Sequence, residues 1–397
     1  MKIYNRHRIY LTGFLMDCVY AFAVGGAAVY AVELGATPVE LGILGSVGPG
    51  IYTITCLFGG SLSDRLSRKH LAIASSLAVS LSCIGLARAT QLWHLYLYFG
   101  ILNGILGLFW PPLQSLLADS SHRRSLTATL GNFCIFWSSG FMVGHLVCGY
   151  LTVISAALPF SYAIAIGLMV VIINSTLSET EGEKNSSSED YLSRTGTRER
   201  ILWKRFLFSA WVANFTLVFA LSTVKMLFPK FALDSNQMGK ATLGLMLALL
   251  HGGQLTMFGI IKYWHAWQYK RFTYIALQLI ILPGILLLGL CTNISGFALA
   301  MFLIGLCAGF TYTASIYYST SRPPDSSTRT GIHESFIGLG VTCGPLAGGW
   351  AASIWTLQSP YLLCAVIFFI SIIIQTGMLY RGVPKAQISG DGQSGNS

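Results

Sequence analysis

The sequence predicts an all-α integral membrane protein with twelve transmembrane helices in two six-helix pseudo-repeats. Three observations carry this. Charged residues make up only 10% of the 397 residues and apolar ones 53%, with a mean hydropathy of +0.62; a soluble domain holds about 25% charged residues. The apolar residues gather into long unbroken runs of about the ~20 residues that a helical span needs. Finally, marker residues of the first half recur in order in the second.

The runs lie near 9–32, 38–61, 70–88, 92–118, 125–153 and 157–177, and after a polar break near 205–229, 240–261, 271–291, 295–319, 330–354 and 359–380. In hydrocarbon each must satisfy its own backbone, so each is helical. A barrel is excluded because its strands would show ten-residue alternation instead. Lys2, Arg6 and Arg8 precede the first run. Asp17 interrupts it and no small-residue cleavage site closes it, so it reads as a span and not a signal peptide.

With twelve spans the termini and the loops near 62–70, 119–124, 178–204, 262–271 and 320–329 share one side. That side carries 21 of the 25 Lys and Arg; the exceptions are Arg88, Lys225, Lys230 and Lys240. The bias places both termini in the cytoplasm, with a bacterial inner (plasma) membrane as the expected location. It also accounts for the formal charge of +10 as topology, so no nucleic-acid partner is expected.

Residues 178–204 open acidic and serine-rich and close basic, a composition that buries nothing. They divide the chain into an N-terminal half (1–177), a cytoplasmic linker (178–204), a C-terminal half (205–382) and a polar tail (383–397). At an offset of 200 residues Gly131, Gly140, Gly144 and Gly149 fall on Gly331, Gly340, Gly344 and Gly349, and Ser115 on Ser315. At 197, Arg8, Asp17 and Phe22 fall on Arg205, Asn214 and Phe219.

Between the second and third runs stands Gly60-Ser-Leu-Ser-Asp64-Arg65-Leu-Ser-Arg68-Lys69. A glycine, a carboxylate and three cations in ten residues predict a tight polar turn outside the hydrocarbon. The pattern Gly-x-x-x-Asp-Arg-x-x-Arg-Lys at that place resembles the signature loop of the major facilitator superfamily of secondary transporters, and the resemblance covers about residues 8–380. It implies two parallel six-span repeats that rock about a central solute site. It further implies a gate: Gly60 for close approach, Asp64 at the N-terminus of the eleventh span near Arg329, Arg65 paired with Asp119, and Arg68 and Lys69 holding the loop inside. The second-half equivalent, Gly259 to Arg271, has lost the acid. Proton-driven drug antiporters of the superfamily carry a proline motif in the fifth span and an Arg motif in the fourth. Here His145 stands where the eleventh span has Pro345, and no Arg lies between Leu92 and Ala118, which argues against that branch.

Polar residues inside spans mark a pathway, because lipid makes them costly. The resemblance assigns the cavity to spans 1, 4, 7 and 10. Helical spacing agrees: Gly13, Asp17 and Tyr20 share a face, as do Asn103, Gly107, Trp110 and Gln114. So do Trp211, Asn214, Ser222 and Lys225, and then Tyr312, Ser315 and Ser319. Amides, hydroxyls and rings suit a polar organic solute such as a sugar, although each could equally be interhelical glue. Asp17 could carry a coupling proton, bind a cationic group or cap backbone. Glu334, beside His333, is the second coupling candidate and is placed nearer the gate than the solute. His145 and His251 could titrate near neutral pH, but a lone membrane histidine more often packs or hydrogen-bonds.

Nine cysteines all lie in or at the ends of apolar runs with no metal spacing. His333-Glu334 does not continue to a second zincin histidine, and neither a Gly-x-Ser-x-Gly elbow nor a GKT/GKS phosphate loop is found. The expectation is therefore a secondary active transporter, not an enzyme, with no cofactor and no metal. Its partners are a small-molecule solute, the bilayer and possible coupling protons, and a monomer suffices. Efflux of an apolar or cationic compound is the alternative to polar-solute transport, and a transporter-like sensor is the third reading.

Overall fold

The computed structural model describes residues 2–119, 126–178, 197–321 and 326–380. Among these it is helical throughout, with short turns. The first half comprises α1 (Lys2–Glu33), α2 (Pro38–Arg65), α3 (Arg68–Ala87), α4 (Leu92–Asp119), α5 (Leu126–Ile154) and α6 (Leu158–Ser175). The second comprises α7 (Thr197–Lys230), α8 (Lys240–Tyr263), α9 (Arg271–Leu279), α10 (Ile281–Leu290), α11 (Ile294–Thr320), α12 (Ser326–Ile354) and α13 (Ser359–Tyr380). Helices α9 and α10 are one span broken at Ile280; Pro283 has no N–H to return to the carbonyl four residues back. Among the described residues, that gives twelve helices long and apolar enough to cross a membrane. We call the side of the termini the terminal face and the other the far face.

Local signals set the ends. Thr37 and Glu40 form a capping box at the start of α2, with Thr37 N donating to Glu40 Oε2 at 2.8 Å and Glu40 N to Thr37 Oγ1 at 3.3 Å. Ser67 caps α3 and Asn293 caps α11. Two expected boundaries move. Helix α2 runs through the glycines to Arg65, so the turn before α3 is only Leu66 and Ser67, not ten residues. Helix α7 begins at Thr197, so the basic end of the expected linker is helix.

The repeat in the sequence is a repeat in packing. A Cβ on Gly140 would strike Phe14 O of α1, and one on Gly340 would stand 2.6 Å from Phe215 O of α7. Gly144 abuts Cys18 of α1 where Gly344 abuts Phe219 of α7. One turn further, Gly149 meets Gly244 of α8 and Gly349 meets Gly42 of α2. Small residues let helices approach this closely without a hydrophobic drive. So α5 and α12 each seat against the first helix of their own half and then cross to the other half.

Those crossings form two seams between the halves, α5 with α8 and α2 with α12. Both are tight toward the far face. There Lys240 pairs with Glu33 and also donates to Thr152 O at 3.2 Å, and Ser46 Oγ donates to Thr342 O at 2.6 Å. Toward the terminal face, a Cβ on Gly131, Gly259 or Gly331 would meet nothing within 4 Å. There Lys262 Nζ reaches Asn132 Oδ1 at 3.1 Å. The halves thus meet backbone to backbone toward the far face, and toward the terminal face the long Lys262 side chain bridges them.

Candidate functional site

The first six-helix half supplies its side of the central site mainly from α1, α2, α4 and α5. Asp17 on α1 is 4% exposed and, among the described residues, makes no hydrogen bond and no ion pair within 4 Å. One turn on, Tyr20 donates its hydroxyl to Asn103 Oδ1 of α4 at 3.0 Å, and Asn103 Nδ2 is bound to Phe99 O at 2.8 Å. Asn103 therefore has both ends of its amide engaged. Trp110 is half-buried, with its ring edge-on to Phe133 at 6.2 Å. Gln114, one turn further, is exposed and is not joined to the others.

The second half answers from α7, α11 and α12. Trp211 Nε1 donates to Ser319 Oγ at 3.0 Å. His333 Nδ1 lies 2.7 Å from Ser315 Oγ and 3.4 Å from Asn214 Nδ2. Thus His333, named from the sequence only as the neighbour of Glu334, ties together two predicted cavity residues from α7 and α11. Its neighbour Glu334 lies within electrostatic reach of Tyr52 and Cys56 of α2 and of Tyr312 of α11. These neighbours place it where α12 faces α2 and α11, between the halves. Among the described residues Glu334 forms no hydrogen bond and no ion pair.

Tyr312 joins the two carboxylates, since Asp17 also lies within its electrostatic reach. Its ring is edge-on to Trp137 of α5 at 5.8 Å and to Phe258 of α8 at 6.2 Å. Trp137 is in turn edge-on to Phe141 at 6.1 Å, and Phe141 to Tyr20 at 5.8 Å. A continuous aromatic wall thus runs from α1 through α5 to α11. Span 5 was not among the expected lining helices; Trp137 and Phe141, one turn apart, are its contribution.

Lys225 of α7 completes the site. Its ammonium stands 4.6 Å above the Phe141 ring and within electrostatic reach of Asp17. Phe141 lies flat against His251 of α8 at 4.6 Å, and His251 flat against His145 of α5 at 5.2 Å. The two histidines are therefore not isolated packing residues. They meet face to face across the seam between halves.

The gate expectations fall differently. The side chains of Gly60, Asp64, Arg65 and Asp119 lie outside the described residues. Arg68 and Lys69 open α3 behind the Ser67 cap, as a polar turn requires. Arg329, expected beside Asp64, is buried, with Nε donating to Ser319 O at 3.0 Å and its guanidinium over Trp203 at 5.0 Å. In the second half the loop that lost its acid is anchored by rings: Trp267 is buried, edge-on to Phe310 and Tyr317 at 5.5 and 5.3 Å.

Several other buried polar groups join helices or bond within their own helix. Asn174 of α6 accepts from Thr12 Oγ1 at 3.0 Å and reaches Ala72 O at 3.4 Å, joining α1, α3 and α6. Ser75, Ser76, Ser80 and Ser82 return their hydroxyls to carbonyls of their own helix. Among the described residues no group of three or more His, Cys, Asp or Glu is placed to hold a metal ion.

Comparison with known proteins agrees with this architecture. The chain is 24% identical over 347 residues to the quinolone resistance protein NorA of Staphylococcus aureus, covering 86% of this chain and 88% of that protein. It is 25% identical over 349 residues to the class H tetracycline resistance protein of Pasteurella multocida, covering 83% and 84%. Its fold superposes on the crystal structure of the nucleoside transporter NupG with a TM-score of 0.70 at 12% identity, covering 95% of this chain and 100% of that one. A bacterial homologue of the human lysosomal transporter Spinster, in an inward-facing, unoccupied conformation, gives 0.71 at 14%, covering 95% and 94%. The sequence model described as Major Facilitator Superfamily matches residues 9–330 and 231–396. With twelve spans, paired six-helix halves and a polar site between them, the chain belongs to the Major Facilitator Superfamily.

Proposed function

We propose that this transporter exports amphipathic aromatic cations, exchanging each for a proton at Glu334. The carrying observation is Glu334 itself: a carboxylate between two halves, flanked by Tyr52 and Tyr312, with no partner among the described residues. When Asp17 and Lys225 are both ionised their charges offset, and an ionised Glu334 then gives the site one net negative charge. One proton or one monocation neutralises it, and two ligands that compete for one carboxylate are exchanged. The flanking rings add cation–π attraction of about 0.5–2 kcal/mol.

A sugar fits less well. Its hydroxyls need unspent donors and acceptors, yet Tyr20 with Asn103, Trp211 with Ser319, and His333 with Ser315 and Asn214 are already spent on one another. What the wall offers is ring surface. The proposal therefore takes up the alternative to the polar-solute reading. The resistance proteins among the relatives support the same direction, because a carrier confers resistance by moving a compound out. They do so despite the missing proline and Arg motifs that argued against this branch.

In this reading both termini are cytoplasmic, the far face is external, and the described conformer is open to the cytoplasm. The loop around Asp64 and Arg65, with Asp119, is the latch of the terminal face in the opposite conformer. The test is transport of ethidium, an aromatic monocation, by purified protein in liposomes under an imposed pH gradient. Gradient-driven ethidium movement, lost in Glu334→Gln, is expected. Movement of a neutral sugar with no binding or movement of ethidium would refute the reading.

A further inference from the structure

Two buried histidines meet at the seam between α5 and α8. His145 is 1% exposed and His251 2%. His145 Nδ1 lies 2.9 Å from Phe141 O. A carbonyl only accepts, so Nδ1 carries the hydrogen and the neutral ring presents a bare lone pair at Nε2. Gln254 Oε1, 3.0 Å from His251 Nδ1, fixes the second ring the same way. Both Nε2 atoms are buried with no partner. A buried acceptor left unmade is costly, so a pair of them at one seam calls for a function.

We infer that His145 and His251 are the residues at which a proton acts on the alternating-access step, loosening the closed far face. The two rings belong to different halves, and their stack is part of what holds those halves together. Adding a proton to either Nε2 lone pair makes that ring an imidazolium, with Nδ1–H still held by its acceptor. The new charge then lies flat against the other ring and beside the Lys225 ammonium, which is within electrostatic reach of both. Separation of α5 from α8 relieves the repulsion and lets water reach the cation. A neutral stack favours closure, and a charged one favours opening at the far face.

The surroundings offer the charged stack little compensation. From α1, Asp17 faces Lys225, and the backbone near Gly25 meets His145 Cδ2 and Cys148 Sγ, where a Cβ would stand 3.6 and 3.2 Å away. Cys18 spends its thiol on Gly140 O at 3.2 Å. From α11, which packs on α8 through Gly253 and Gly305, Tyr312 reaches Phe258 and not the stack. Among the described residues, the carboxylate of Asp17 lies in the field of Lys225. This inference needs alternating access alone and does not rest on the cation exchange proposed at Glu334.

The experiment places spin-labelled non-natural amino acids at Ser155 and Ser295, exposed far-face positions in opposite halves, so that the native cysteines stay. Interspin distances are read in the full chain between about pH 8 and about pH 5, the range in which histidine changes charge. The ratio of far-open to far-closed protein is expected to rise at least about fivefold, the lower edge of ordinary coupling. In the double variant His145→Asn/His251→Phe, which keeps a donor for Phe141 O and a ring in the stack, the ratio is expected to stay flat. His251→Phe alone guards against misfolding of the double variant: it should keep the distance found at about pH 8 and lose most of the response. A flat wild type, or a full response in the histidine variants, overturns the inference. In Glu334→Gln the response should persist; its loss there would place the proton at Glu334 instead.

Discussion

Gly149 and Gly244 touch backbone to backbone: a Cβ on Gly149 would stand 2.6 Å from Gly244 Cα. This contact joins α5 to α8 near the far face, and its counterpart joins Gly349 to Gly42 in the other seam. Neither pair has space for a side chain, so a larger residue must part the halves. Overpacking of this kind costs about 1–3 kcal/mol, and here the cost falls on the far-closed state only. Gly149→Val is therefore expected to shift the protein toward the far-open conformer and to slow transport with little loss of folding. Far-face distances together with a melting curve would check this; an unchanged distance distribution would remove the seam from the transport cycle.

Asn174 makes a contrasting case. It binds Thr12 and reaches Ala72 O and Ser76 Oγ at 3.4 and 3.5 Å, all within the first half. Such interhelical hydrogen bonds in membranes average about 0.6 kcal/mol each and reach about 1–2. Asn174→Leu should therefore lower stability by about 1–2 kcal/mol in detergent while leaving solute affinity and pH response unchanged. A change in affinity would mean that the α1–α3–α6 junction communicates with the cavity.

The predicted cavity residues divide in the same manner, and Gln114 and Asn103 supply the sharpest pair. Helical spacing put them on one face, yet Asn103 is 1% exposed and joined to Tyr20, whereas Gln114 is exposed and joined to none of the others. Asn103→Leu strips the Tyr20 hydroxyl of its acceptor, a loss of about 1–3 kcal/mol for a buried group left unmade, and should weaken solute binding. Gln114→Leu should change neither stability nor transport measurably. Equal loss from both would restore the sequence-based face as the solute site.

The spans were legible because hydropathy is written along the chain, and the two halves because four glycines recur at one offset. Both survive folding as backbone geometry: Gly140, Gly144 and Gly149 of α5 and their mates in α12 meet equivalent neighbours, and Gly131 and Gly331 alike meet nothing within 4 Å. Helix ends were less legible, because hydropathy marks where lipid ends and not where hydrogen bonding does; α2 continues through Gly59 and Gly60 to Arg65. The histidine stack was not legible at all. His145 and His251 lie 106 residues apart in halves that repeat imperfectly, and no local period brings α5 to α8. One signal was present: His145 stands where the repeat has Pro345, and a departure from an internal repeat at a buried position points to a residue with its own task. Glu334 was legible as a titratable group, and its distance from the signature loop is not set by the described side chains, because those of Asp64 and Arg65 lie outside them.

Asp17 and Lys225 carry the last prediction. Each is a charge inside a span, contributed by a different half, and each lies in the other's field without a direct ion pair within 4 Å. Removing one partner leaves the other charge without compensation, which is worse than removing both. Asp17→Asn and Lys225→Met should each destabilise the protein, while the double variant should be less destabilised than the sum of the two. The coupling is expected at about 1–2 kcal/mol, within the usual range for neighbouring charges, read from denaturant-induced unfolding of the four proteins in one detergent. Singles that add to within about 0.3 kcal/mol would show that the pair does not interact. In that event Asp17 would no longer offset Lys225, and the single net negative charge that favours a cationic solute would have to be assigned anew.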